Sequence, residues 1–204
     1  MEFCRRWKTC QSNNSQNSKG AFVATLKTPV TSQDHVQGPE DAPATLVEYG
    51  DYQCPHCGHA HSVIKRIQKH FGEQLRFVFR NFPLNEIHPF AEAAAETAEF
   101  AAAHGTFWEM HDLLFENQER LSESLFPELA KKLKLPVDAL INALESGEYA
   151  TRVGSDFSSG VRSGVNGTPT FFINGRRHDG PFEYDDLVTA IEEAIGPGRA
   201  AVNG

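Results

Sequence analysis

The chain has 204 residues, a formal net charge of −8, and 40% hydrophobic against 23% charged residues. That composition suits one globular domain, or one domain carrying a large insertion, with enough apolar material for a core. The acidic balance argues against a general affinity for nucleic acid or anionic membranes, and no run approaches the about 18 apolar residues that a membrane helix needs.

Residues 1–20 are polar and aperiodic and read as a disordered tail, in which Cys4 and Cys10 are incidental thiols. Arg5, Arg6 and Lys8 resemble the start of a secretory signal, but the stretch Gln11 to Lys19 is polar where an apolar run should follow. The expected location is therefore the cytoplasm, or the periplasm if an export segment is missing. Phe22–Leu26 is a candidate edge strand, and Asp34–Pro43 reads as a loop. Thr45–Tyr49 reads as a buried strand. Val63, Ile64, Ile67 and Phe71 recur at helical spacing, with Gly72 as the stop. Leu75–Arg80 alternates as a strand. Together these make a βαβ unit with a Cys-x-x-Cys run at the start of its helix.

From about Pro89 to Gly164 the pattern is helical. Ala91–Ala103 is rich in Ala and Glu. Thr106 and Glu109 are spaced as a capping box before the next helix. Ser122 suits the start of a helix through Leu133, Pro136 opens one that Gly147 closes, and Tyr149 to Val161 carries a last apolar stripe. Thr170–Ile173 returns to strand character. Asn174-Gly175 is a hairpin turn signal, and Glu183–Ile195 is a final amphipathic helix. The predicted organisation is a discontinuous α/β domain (residues 21–84 and 164–196), a helical insertion (85–163) and a C-terminal tail (197–204).

The chemistry lies in Cys54-Pro55-His56-Cys57. No other cysteines occur in the folded part, so the pair is not a structural framework, and a CxxC beside a βαβ pattern reads as a thioredoxin-like redox motif. A helix N-terminus stabilises an anion through its free N–H groups and dipole, which favours the reactive thiolate. Pro55 suits the first helical turn, and His56 adds a donor or cation beside Cys54. A thiol of low pKa leaves readily and is stable when reduced, so the dipeptide leans toward an oxidant, with Cys57 as the resolving partner. Gly167-Thr168-Pro169-Thr170 precedes a strand. A cis bond at Pro169 would let Thr168 offer backbone groups to an extended peptide. Glu48, six residues before Cys54, is an acid in a buried strand and a candidate proton carrier for Cys57.

The run from Glu48 to Cys57, with Gly167-Thr168-Pro169-Thr170 and the helical block between, resembles the DsbA family over roughly Phe22 to Ile195. The resemblance implies an α/β thioredoxin-like fold, a central mixed sheet flanked by helices with an inserted all-helical domain. It implies a protein dithiol–disulfide oxidoreductase without metal or organic cofactor, acting on protein or peptide thiols and disulfides, with a redox partner or glutathione to recycle it. It also implies that Cys54 is the exposed nucleophile, Cys57 its buried partner, Pro169 the facing cis-proline and Glu48 the buried acid under Cys57. Two departures bear on direction: there is no export signal, and threonine stands where well-known members have valine before the cis-proline. Similar domains also occur fused to membrane transporters.

A redox-sensing or peptide-binding module without turnover is the alternative function. His56, His59 and His61 crowd the pair, but structural zinc needs about four ligands and no second cysteine pair is available, so no metal is expected. His70, His88, His104, His111 and His178 read as surface or helix-end residues, Phe107, Trp108 and Phe115 as core, and Asp51 and Asp156 as loop and helix-surface charges.

Overall fold

The computed structural model describes residues 24–196. Both predicted tails, with Cys4 and Cys10, lie outside the described residues, as do Phe22 and Val23 of the predicted edge strand. The remainder of that strand forms a single bridge, Thr25 to Arg176, with the Leu26 N–H donating to the Gly175 carbonyl at 2.9 Å.

The βαβ unit is present as β2 (Ala44–Gly50), α1 (Pro55–Phe71) and β3 (Leu75–Asn81), the two strands running parallel with Glu48 opposite Phe79. An apolar face of α1 explains the helix: Cys57, Ala60, Val63, Ile64, Ile67 and Phe71 are buried. The later strands β4 (Thr170–Ile173) and β5 (Arg176–His178) form the hairpin that Asn174-Gly175 predicts. Both turn residues have positive φ, 47° and 78°, as a two-residue hairpin of the favoured hand requires. Strand β4 runs antiparallel to β2 and places Phe171 opposite Glu48. A short β1 (His35–Gln37) pairs antiparallel with β3, inside the segment expected to be a loop. Three residues give no readable period, so only pairing with β3 reveals it. The sheet order is β1-β3-β2-β4-β5, which centres β2, the strand that delivers the cysteines.

Five helices lie between β3 and β4: α2 (Ala91–Ala103), α3 (Phe107–Glu116), α4 (Leu125–Lys132), α5 (Val137–Ser146) and α6 (Ala150–Arg162). The final helix is α7 (Tyr184–Ile195). Strand alternation divides the core. Leu46, Phe77, Phe79, Phe171 and Ile173 pack with residues of α1, α7 and α2 to α5. Val47, Tyr49, Val78 and Phe172 form a second cluster with Phe82, Val165 and Phe157 of α6. The helices therefore reach both faces of the sheet. A buried phenylalanine in either cluster is worth about 3–5 kcal/mol against truncation to alanine.

Charges depart from expectation. Asp156, expected on a helix surface, is buried, where it accepts from the Asn81 N–H at 3.1 Å and pairs with Arg152. Arg80 ends the β3 pattern inside the protein. Asp34, the Thr28 and Pro29 carbonyls and the Tyr49 hydroxyl satisfy its guanidinium. The expected Thr106 cap does not form; its hydroxyl donates to the Ala101 carbonyl instead.

Candidate active site

Cys54 is the N-cap of α1, with extended backbone angles (φ −71°, ψ 120°), and Pro55 opens the helix. The N–H groups of Cys57 and Gly58 both donate to the Cys54 carbonyl, at 2.9 and 3.1 Å. Cys54 thus stands at the N-terminus of α1, where the backbone N–H groups of the first helical turn favour an anion. Across the cleft the Thr168–Pro169 peptide is cis, and Cys54 Sγ lies 3.3 Å from the Thr168 carbonyl, to which it donates in its protonated form. Cys57, one turn into α1, has no exposed surface.

The two thiols are pushed apart electrostatically. Cys54 is lowered to about 5, chiefly by its hydrogen bond with Cys57; burial opposes this, while Thr168 and the backbone N–H groups of Cys57 and His56 add to it. Burial pushes Cys57 well above the ordinary thiol range. Cys54 is thus largely thiolate at neutral pH and Cys57 a thiol. The contribution of His56 comes through its backbone N–H, because its side chain points to solvent.

Glu48 lies below the pair with 2% of its surface exposed, and its Oε1 has no hydrogen-bond partner. Burial, helped by the negative charge on Cys54, raises its carboxyl to about 8. A carboxyl of that strength gains or loses a proton near neutrality, as a proton carrier must.

Not all sequence expectations fall in this cleft. Cys54, expected to be exposed, keeps only 5% of its surface, since the Thr168 segment stands over it. His59 faces away and meets Glu183 at 3.1 Å. His61 bonds Asp112 at 2.9 Å. The donor atoms of His61, His111 and Asp112 lie within 4.8 Å of one another, but Lys65 already matches the Asp112 charge at 2.6 Å. His111, expected at the surface, is buried against Phe79, Phe107 and Phe115, and its Nδ1 meets the Tyr52 hydroxyl at 3.0 Å. Its burial lowers the imidazole's affinity for a proton.

Four residues that shape the site carried no recognised sequence signal. Gln118, just after α3, donates its amide to the carbonyls of Tyr52 at 2.7 Å and Cys54 at 2.9 Å. Gly58 makes room for it, since a Cβ there would stand 2.3 Å from Gln118 Oε1. Asp51 and His88, expected at the surface, form a pair at 2.7 Å with the Asp51 side chain fully buried. The available clue to Asp51 was its position between Tyr49 and Tyr52, in a run that continues a buried strand.

A parallel β2–α1–β3 unit, an antiparallel β4–β5 hairpin and a cysteine pair at a helix start facing a cis-proline define a thioredoxin-type fold with a helical insertion. The chain matches the family model described as Thioredoxin over residues 30–193, and it belongs to that family. Its fold is that of the DsbA-type proteins. BdbD from Bacillus subtilis, in its oxidised form, is 28% identical with a TM-score of 0.76, covering 84% of this chain and 98% of that one. Wolbachia pipientis alpha-DsbA1 has the same fold at 20% identity and a TM-score of 0.73, covering 83% and 94%. Among curated relatives, Na(+)/H(+) antiporter NhaA 3 of Salinispora tropica is 40% identical over 89% of this chain. NhaA 1 of Salinispora arenicola is 41% identical over 85%. The chain spans only 28% and 26% of those two relatives' length. Among the described residues no helix is long and apolar enough to cross a membrane.

Proposed function

We propose that the chain exchanges its Cys54–Cys57 dithiol or disulfide with protein or peptide substrates through a mixed disulfide at Cys54. The observation that carries this reading is the contrast within the pair: a thiol lowered to about 5 at a helix N-terminus, one turn from a buried thiol that is raised. The first is a nucleophile and a leaving group, the second a reserve that resolves.

In the oxidising direction a substrate thiolate attacks Cys54 Sγ. The Cys54–Cys57 bond breaks, and its electron pair leaves on Cys57, which takes a proton from Glu48 or solvent. A second substrate thiolate attacks the substrate sulfur of the mixed disulfide and Cys54 departs as thiolate. The substrate loses two electrons and the pair gains them. The low value at Cys54 stabilises the reduced form and favours this direction. Glu48 serves as proton carrier, and Thr168 and Pro169 receive the extended substrate chain. The ion transport named for the curated relatives belongs to chains of which this one covers little more than a quarter.

The test is turnover. Cys54→Ser is expected to abolish oxidation of reduced ribonuclease, and Cys57→Ser, mixed with a disulfide-bonded substrate, to attack that disulfide and accumulate a mixed disulfide on Cys54, read by mass spectrometry. Full activity in Cys54→Ser overturns the reading. Partner binding that depends on redox state, with no turnover in the unmodified chain, marks a sensor instead.

A further inference from the structure

The carboxylate of Asp51 is fully buried beside the cysteines, where a charge needs compensating partners. It has three. Oδ1 accepts from the Gln53 N–H at 2.7 Å, and Oδ2 accepts from the Leu84 N–H at 2.9 Å and from His88 Nδ1 at 2.7 Å. Gln53 adds a parallel tie, its Oε1 accepting from the Phe90 N–H at 2.7 Å. The turn between β2 and α1 is thereby fastened to the segment that follows β3, extending the tie that the Phe82 N–H makes to the Gly50 carbonyl at 2.8 Å.

The backbone of the same residue faces the resolving cysteine. The Asp51 N–H donates to Cys57 Sγ at 3.4 Å. The titratable groups that face this sulfur are Cys54 from its own helix and Glu48 from β2. Burial, the hydrogen bond with Cys54 and the charges of Glu48 and Cys54 all disfavour a Cys57 thiolate, whereas the Asp51 N–H favours it. A fixed donor on a sulfur that must become an anion acts as an oxyanion donor does, by being in place before the charge develops.

We propose that Asp51 and His88 are positioning residues for the resolving step: the buried carboxylate, anchored by His88, holds the Asp51 N–H on Cys57 Sγ. This rests on the exchange reading above. During resolution Cys57 loses its proton to Glu48 or solvent and its thiolate attacks Cys54 Sγ. The Cys54–Cys57 bond forms, the bond from Cys54 to the substrate sulfur breaks, and the electron pair leaves on the substrate thiolate. The Asp51 N–H keeps its proton throughout and stabilises the sulfur charge. His88 touches neither sulfur and acts only through Asp51.

The experiment separates the two steps in the full chain. Attack by Cys54 is timed as mixed-disulfide formation with oxidised glutathione in a Cys57→Ser background. Resolution is timed as release of glutathione from Cys54 with Cys57 present. His88→Ala and Asp51→Asn are expected to slow resolution about tenfold, the scale of one hydrogen bond to a charged group, and to leave the attack step within about twofold. His88→Asn, whose amide places a donor near the ring Nδ1, is expected to restore resolution. Equal slowing of both steps, or an unchanged resolution rate in His88→Ala and Asp51→Asn, overturns the proposal. A Cys57→Ser chain that never forms the mixed disulfide overturns the exchange reading instead.

Discussion

The Cys54 sulfur and the Thr168 carbonyl, 114 residues apart in the chain, meet at 3.3 Å. That contact joins the start of α1 to the segment before β4, and it places a sulfur of low pKa where an extended chain could pair with backbone.

The titration of Cys54 is open to direct measurement. Alkylation of the reduced protein is expected to follow a midpoint near pH 5. Because the folded value lies below that of a free thiol, the ionised sulfur stabilises the reduced fold fully above the free-thiol value near 9, and that stability is lost as pH falls toward 5. Denaturant unfolding of the reduced and oxidised forms should show the reduced form losing ground across this window on acidification. A pH-independent difference would contradict the assignment.

Glu48 gives the opposite slope. Its folded value, about 8, lies above the free carboxyl's 4.5, so its contribution is present at low pH and is lost as pH rises through 8. In the oxidised protein, where burial alone raises the carboxyl, Glu48→Gln should gain stability relative to the unmodified chain as pH rises above 4.5. The gain is on the order of a few kcal/mol. Unfolding curves at pH 4.5, 6 and 8 decide the matter, and a constant difference would show that the carboxyl is not desolvated.

Gln118 and Gly58 should be coupled. Gln118→Ala removes donors from two carbonyls and is expected to cost about 1–3 kcal/mol in chemical denaturation. Gly58→Ala alone drives its Cβ against the Gln118 amide and should also destabilise. With Gln118 already alanine, that clash disappears and the better helix former at position 58 should instead stabilise by up to about 1 kcal/mol. Additive losses would show that the close approach is not the cause.

Thr168 tests a different kind of defect. Its Oγ1 is buried with no hydrogen-bond partner, so Thr168→Val should raise stability by about 1 kcal/mol. The contact of Cys54 with the backbone carbonyl does not involve the hydroxyl, whereas the help that the Thr168 side chain gives the Cys54 thiolate is lost, so the Cys54 thiol is expected to titrate higher in this variant. Thermal unfolding reads the effect, and a loss of stability would mean that the hydroxyl is satisfied.

The legible features were those with local causes. Pro55 after Cys54, the apolar face from Val63 to Phe71 and the positive-φ pair Asn174-Gly175 each act within a few residues, and so they marked α1 and the β4–β5 hairpin. What escaped depends on distant partners. Arg80 is buried because Asp34 and two carbonyls near residue 28 receive it. Asp51 reads as a loop charge until Leu84 and His88 supply its donors. Gln118 acts on a loop more than 60 positions earlier, and nothing in its neighbourhood announces that role. The predicted exposure of Cys54 failed for the same reason: its cover is a carbonyl from the far end of the fold.

That cover has a consequence for timing. With 5% of its surface accessible and the Thr168 carbonyl against its sulfur, Cys54 offers a partner sulfur little open surface. A thiol on an extended, flexible segment is expected to reach this sulfur faster than one fixed on a packed surface, and rates of mixed-disulfide formation with a peptide and with a folded protein compare the two.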